Sequence, residues 1–212
     1  MIEMVVISKA DAAIQNYQAN LAGSTRWELA NQTLYDLCKE YPNHTDADQI
    51  VAKLWLIGRS YAAAIERRKN AKGYVGDFYY DTVAPAMISA GQDLDSKIAL
   101  LNSSKSIDDL LDTHAYLMGI FNSLTGMDKR SLASKYLHFH CPEAVFIYDS
   151  VASAALRKMV KKPKNIGTYI TGNRDAEYVD FCLRAIELRQ YIADEYGLNL
   201  TVRELDTLLL NA

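Results

Sequence analysis

The stretch LTGMDKRSLASKYLHFHCPEAVFIYDS, from Leu124 to Ser150, decides the fold of this chain. A helical pattern ends near Leu124, Gly126 can take a positive φ angle, and a second helical pattern starts within a few residues. This order predicts a helical hairpin with a very short turn. The start of the second helix leaves backbone N–H groups without helical partners, and Lys129 and Arg130 stand beside them.

The basic residues of this turn point to an anion. Cations at the start of a helix oppose the helix dipole, so Lys129 and Arg130 do not stabilise the helix themselves. A phosphate at the turn could use both the free N–H groups and the side-chain charges. We therefore predict that nucleic-acid phosphates are bound by four residues of the turn, Gly126, Lys129, Arg130 and Ser131.

Charge is uneven along the chain, although the 212 residues carry a net charge of only −3. Residues 126–164 hold eight basic and three acidic residues, so this segment is +5 and the remainder is −8. This balance excludes a protein covered in basic charge but allows a local basic patch that contacts nucleic acid. Solvated helix ends are the alternative interpretation. Beyond the turn, the candidates for contact with nucleic acid are Lys158, Lys161 and Lys162 of a basic loop. A second basic cluster comprises Arg67, Arg68, Lys69 and Lys72.

Apolar residues recur at helical spacing through nearly the whole chain, which predicts an all-α protein. We predict a single helical domain over residues 1–212, either undivided or with two lobes, and place the hairpin-like motif at residues 107–160. Only Met4–Ile7 and Ala144–Tyr148 have an extended pattern. The predicted helices cover residues 12–21, 27–41, 46–65, 77–90, 94–101, 107–124, 129–140, 149–160, 175–196 and 201–210.

The cysteines indicate a reducing compartment. Cys38, Cys141 and Cys182 are odd in number and widely spaced, so neither a disulfide framework nor a zinc site is expected, even though His138 and His140 precede Cys141. The first residues form no secretion signal and no segment long enough to span a bilayer. We expect a cytoplasmic protein with no membrane partner, no metal and no cofactor.

The opening stretch resembles the helix-hairpin-helix segment of the base-excision DNA glycosylases. In that superfamily the hairpin reads roughly Leu-Pro-Gly-Val-Gly, and a helix with an early alanine and an apolar run ending in aspartate follow it. Here Leu124–Asp128 matches the hairpin, Ala133 the alanine and Ile147–Asp149 the end of the run. The run Ala133–Phe139 is similar to one in bacterial proteins with an 8-oxoguanine DNA glycosylase fold, some of which belong to anti-phage defence operons. The resemblance covers residues 124–150, with weaker support over residues 55–68.

The resemblance implies a glycosylase-like helical fold, DNA as the partner and cleavage of an N-glycosidic bond, with or without lyase activity. Asp149 matches the aspartate whose carboxylate stabilises positive charge on the sugar or orients water. Lys135, one helical turn after Ser131, is the candidate amine for a Schiff base with the sugar. The flipped base would be received by aromatic rings, for which Tyr61, Tyr148 and Phe181 are the candidates. RNA and a free nucleobase are the alternative ligands.

Two departures from the family pattern keep other functions open. Asp128 replaces the second hairpin glycine, and Arg130 or Ser131 stands where bifunctional glycosylases place their lysine; arginine stays protonated and cannot act as an amine nucleophile. The second hypothesis is a non-catalytic binding or scaffold subunit of an anti-phage defence system, with a protein partner from the same operon. A third is a plain helical interaction protein. In these interpretations Asp149 is only a helix cap and Lys135 a solvated lysine.

Overall fold

The computed structural model of the chain describes residues 9–20, 27–67 and 76–212. Helices dominate and no β-strand forms within these ranges, so the predicted all-α class is confirmed. One π-helical turn, Tyr79–Val83, leads directly into the fourth α-helix. The α-helices are α1 Lys9–Asn20, α2 Glu28–Glu40, α3 Ala47–Ser60, α4 Ala84–Ser89, α5 Gly91–Ser104, α6 Ile107–Thr125, α7 Arg130–His140, α8 Ser150–Met159, α9 Ile166–Tyr169, α10 Ala176–Tyr196 and α11 Val202–Leu210.

Helix starts follow the capping residues in the sequence. Ser106 Oγ accepts a hydrogen bond from Asp109 N at 3.1 Å at the start of α6. Thr201 and Glu204 form a reciprocal capping box at the start of α11. Side-chain oxygens thereby satisfy backbone N–H groups that the first helical turn leaves without partners.

The end of α3 differs from the prediction. The helix passes through Gly58 without a break and stops at Ser60, so Tyr61 and Ile65 lie beyond it. Gly58 permits the returning chain to come close: a Cβ at this position would lie 2.9 Å from the Cα of Ala64. Gly58 therefore allows a close contact between α3 and the chain that follows it.

Residues 161–172, between the predicted helices 149–160 and 175–196, contain the short helix α9. The run Ala144–Tyr148, whose pattern is extended, forms no strand, and its residues from Val145 to Tyr148 are buried in irregular chain. The extended pattern at Met4–Ile7 lies outside the described residues.

The chain divides into two compact units. Unit 1 comprises residues 1–26 and 146–212, and unit 2 comprises residues 27–145. In the described part of unit 1, α8 packs against α10 and α11, and α1 packs against α11. In unit 2, α7 packs against α2, α3 and α6. The single domain remains a prediction.

The helix α7 is the central helix of unit 2. All eight residues from Leu132 to Phe139 are buried, including the polar side chains of Ser134, Lys135 and His138. Buried polar groups are costly unless hydrogen-bonded, so the surroundings of α7 must supply partners. Among the described residues, no helix is both long enough and apolar enough to cross a bilayer.

Candidate functional site

The predicted hairpin is formed by α6, a short turn and α7. Gly126 follows α6 with φ 66° and ψ 20°, and its N–H donates to Asn122 O at 2.7 Å. This left-handed conformation favours glycine, because an L side chain at Gly126 would be strained. Three residues then separate Gly126 from Arg130, the first residue of α7. The chain reverses here as the sequence predicts.

The residues of the turn combine one acid with two bases. Asp128 accepts a hydrogen bond from Asn122 Nδ2 at 2.8 Å, which ties its carboxylate to α6. Lys129 precedes α7 and its side chain makes no capping hydrogen bond to the helix start. Its Nζ donates to Arg67 O at 2.5 Å. The neighbouring members of the second basic cluster, Arg68, Lys69 and Lys72, lie outside the described residues.

Lys135 is buried, with only 2% of its surface exposed. Its Nζ donates to Ser131 Oγ at 2.8 Å and lies 5.7 Å from the centroid of the Tyr61 ring. The Tyr61 hydroxyl in turn donates to Asn31 Oδ1 at 2.7 Å. The structure thus brings together three of the predicted site residues within unit 2. The interpretation of Lys135 as a solvated helix lysine is wrong.

Asp149 belongs to unit 1 and begins α8. Its backbone is extended, with φ −139° and ψ 148°, and its Oδ1 accepts from Val151 N at 2.8 Å. The side chain is therefore an N-cap, as the non-catalytic interpretation proposes. The capping hydrogen bond from Val151 N uses Oδ1, one of the two carboxylate oxygens.

The two aromatic candidates of unit 1 pack together. The ring centroids of Tyr148 and Phe181 lie 5.3 Å apart at an interplanar angle of 70°. Tyr148 is 8% exposed and Phe181 3%, and the Tyr148 hydroxyl donates to Glu177. Edge-to-face pairs of this kind contribute to a core. In this structure both rings therefore serve packing, and Tyr61 is the aromatic candidate with a half-buried ring beside an amine.

The last turn of α8 and the loop after it hold three lysines in solvent. Lys158, Lys161 and Lys162 are exposed. Arg157 differs, because its guanidinium pairs with Glu177 at 3.3 Å and with Asp180 at 3.6 Å. The side chains of the three lysines and of Arg157 are all exposed, but only Arg157 is shown paired with acids of the described ranges.

A buried hydrogen-bonded chain in unit 2 was not predicted from the sequence. His44, in the loop between α2 and α3, is fully buried, and its Nδ1 lies 2.5 Å from Asp95 Oδ1. Its Nε2 lies 2.7 Å from the hydroxyl of Tyr136, which is also fully buried. Lys53 lies beside this chain and donates to Tyr41 O at 2.8 Å and Asn43 O at 3.3 Å. The amine thus caps carbonyls where α2 ends.

Burial shifts the pKa values of His44 and of the titratable residues around it. Desolvation, then the nearby Lys53 charge, lowers the pKa of His44 to about 4, although Asp95 opposes the shift. Desolvation also lowers the pKa of Lys53 to about 8. Burial lowers the pKa of His140 well below its ordinary value; its ring lies 5.3 Å from that of His44, and its Nε2 has no hydrogen-bond partner among the described residues. Neutral histidines follow from these shifts near pH 7.

No pattern in the sequence predicts this series of hydrogen bonds between Asp95, His44 and Tyr136. His44 lies 51 residues from Asp95 and 92 from Tyr136, so neither helical spacing nor a short motif connects them. Only the packing of α5 and α7 around the loop does so. Gly91 permits this close packing, because a Cβ at position 91 would lie only 2.6 Å from His44 O.

Neither the metal-binding side chains nor comparisons with known proteins assign a function to the described residues. No group of three or more His, Cys, Asp and Glu residues in the described ranges could hold a metal ion. The three cysteines are free and buried. Comparisons with protein-family models, with curated proteins and with solved structures found no match to this chain. The resemblance to the glycosylases remains a prediction from the sequence.

Proposed function

We propose that this chain is a helix-hairpin-helix protein of the DNA glycosylase type that binds DNA at the turn before α7 and breaks an N-glycosidic bond. The observation that carries the proposal is the buried amine of Lys135, in the helix that follows the Gly126 turn. A lysine is seldom fully enclosed without a structural or chemical role. Lys135 is also held by Ser131 and lies over Tyr61, which suits a fixed nucleophile.

The proposed chemistry needs an uncharged amine and a leaving base. The Lys135 nitrogen attacks the sugar carbon that carries the base, and a C–N bond forms to the protein. The glycosidic bond breaks with its electron pair on the base, which takes up a proton. Loss of the amine proton and opening of the sugar then give a Schiff base. The resemblance assigns stabilisation of the positive charge that develops on the sugar to the carboxylate of Asp149.

The direct test is base release and strand cleavage on a panel of duplex and single-stranded DNA with normal and damaged bases. Release of a base from at least one substrate, with an adduct that borohydride traps, supports the proposal. A protein that binds DNA but releases no base from any substrate supports the second candidate function instead.

Binding should depend on the turn. Changing both Lys129 and Arg130 to alanine should lower DNA affinity by a similar factor for every sequence, because phosphate contacts carry no base information. The slope of log K against log salt should fall by about 2, close to one unit for each lost charge. Fluorescence anisotropy at several salt concentrations measures both quantities. The matched control is Lys105→Ala, at an exposed lysine that pairs with Glu143. Equal loss in the control would contradict a role for the turn.

Asp149 should be required for its charge. Asparagine caps a helix nearly as well as aspartate, so Asp149→Asn should unfold at the wild-type temperature within a few degrees. Base release should nevertheless fall by about 100-fold or more, since the carboxylate is lost. Asp175→Asn, at the cap of α10 where the carboxylate accepts from Tyr178 N, is the control. If Asp149→Asn releases base at the wild-type rate, Asp149 is only a cap.

The second candidate function is a non-catalytic nucleic-acid-binding or scaffold subunit of a defence system. Asp128 favours it, because a carboxylate in the turn repels phosphate. The Lys129 amine, which donates to Arg67 O, also has a structural use that needs no ligand. In this function a protein encoded in the same operon would supply the chemistry.

A further inference from the structure

We infer that Asp95, His44 and Tyr136 form a chain of positioning residues that fixes α7 and thereby holds the Lys135 amine in place. This inference rests on the proposed function for its purpose, but its contacts stand independently. Asp95 and His44 lie outside the stretch that resembles the glycosylases. Tyr136 lies within it, but the resemblance assigns no role to its hydroxyl.

Short hydrogen bonds connect the side chains of Asp95, His44 and Tyr136 in that order. Asp95 Oδ1 lies 2.5 Å from His44 Nδ1, and Asp95 Oδ2 accepts from His44 N at 3.2 Å. The carboxylate therefore holds both the ring and the backbone of His44. With Nδ1 donating to Asp95, His44 Nε2 is the acceptor for the Tyr136 hydroxyl at 2.7 Å. Three elements, α5, the 41–46 loop and α7, are joined in series.

Tyr136 transmits this constraint to Lys135. The two residues are adjacent on α7, so their side chains leave the helix about 100° apart. Anchoring the fully buried Tyr136 ring sets both the rotation of α7 and its position along its axis. Lys135 is thereby directed toward Ser131 and Tyr61. A displacement of about 1 Å at a reacting group can cost on the order of 100-fold in rate, so an anchor of this kind has a measurable effect.

A second anchor acts on the same helix. His138 Nε2 lies 2.7 Å from the Tyr35 hydroxyl, and His138 Nδ1 lies 2.8 Å from Val145 O. Tyr35 packs on Phe139 at 4.8 Å, and Phe139 packs on Tyr61 at 5.6 Å between ring centroids. This anchor also contacts the aromatic ring beneath Lys135. The His44 chain is therefore the better one to test, because its contacts lie apart from Tyr61.

The test measures the accessibility and reactivity of Lys135 without DNA. Folded protein is treated with formaldehyde and cyanoborohydride at a series of pH values, and mass spectrometry follows methylation of the Lys135 peptide. Tyr136→Phe removes the hydroxyl but keeps the ring. We expect a change of about fivefold or more in the Lys135 rate, with a displaced pH profile. Methylation of the exposed Lys105 should be unchanged.

The matched control is Tyr178→Phe in unit 1. Tyr178 is also fully buried, and its hydroxyl donates to Phe146 O at 2.8 Å. The same chemical change is thus made at a similar depth, so a general loss of stability should affect both variants. Only Tyr136→Phe should alter Lys135. A folded Tyr136→Phe protein with the wild-type Lys135 rate and pH profile overturns the inference.

A second variant covers the case in which Tyr136→Phe does not fold. Asp95→Asn keeps an oxygen that can accept from His44 and removes only the charge, at a side chain that is 23% exposed. It should shift Lys135 methylation in the same direction by a smaller factor, and an unchanged rate again overturns the inference. Base release is assayed separately. Altered methylation without base release from any DNA would refute the proposed function and leave the positioning chain intact.

Discussion

Replacing Lys135 with methionine is expected to eliminate the borohydride-trapped adduct and to lower base release by on the order of 1000-fold. The reason is that the amine is the proposed nucleophile, which Ser131 holds beside the Tyr61 ring. Methionine has a similar length and is apolar, so it should fit the enclosed site without opening a large cavity. Gel shift of the trapped adduct and base release over time measure the effect.

A second substitution separates nucleophilicity from charge. Lys135→Arg keeps the positive charge but stays protonated, so it should bind DNA and form no adduct. Circular dichroism should show that both variants are folded. An adduct of wild-type yield in either variant would mean that another amine reacts. Tryptic mapping of the trapped complex would then identify that amine directly.

Acid should destabilise the protein through His44. The pKa of this ring is about 4 in the folded chain because of burial and the Lys53 charge, whereas an unfolded histidine titrates near 6.5. As the pH falls below 6.5, the unfolded chain takes up a proton that the folded chain refuses, so the free energy of unfolding decreases. The loss ends near pH 4, where the folded ring is also protonated, and amounts to about 3 kcal/mol from this residue. His140, whose pKa is lowered in the same direction, adds to it.

The measurement is urea denaturation between pH 4 and pH 8 for the wild type and for His44→Gln. The variant should be less stable at pH 8, because the Asp95 and Tyr136 contacts are weakened. Its stability should fall less steeply on acidification, by up to about 1.4 kcal/mol per pH unit within the window. Comparing the two proteins cancels the carboxylates that both contain. Parallel curves would show that the His44 proton is not linked to folding.

Local patterns in the sequence predicted the helices and the hairpin well. Gly126 and the spacing of the apolar residues around it determine where α6 ends and α7 begins, and both are read from neighbouring residues. The end of α3 was missed because apolar residues continue at helical spacing to Ile65, although the helix stops at Ser60. The close approach of Ala64 to Gly58 appears only in the folded chain, and periodicity does not encode it.

The candidate site was predictable only in part. The resemblance drew attention to Lys135 and Asp149, but helical spacing alone could not show that Lys135 is enclosed, since burial depends on which helices surround α7. Tyr148 and Phe181 show the same dependence on packing, because aromatic residues near a motif can serve a core equally well. His44 escaped notice because its partners come from distant parts of the chain.

The enclosure of α7 also restricts how this protein can change over evolutionary time. Leu132–Phe139 must keep unit 2 folded and, in the proposed function, must also present an amine, so most substitutions there would be removed by selection. The exposed lysines at Lys158, Lys161 and Lys162 carry no such double burden. New ligand preferences should therefore arise by substitution at these exposed positions, while the sequence of α7 stays nearly constant among descendants of this chain.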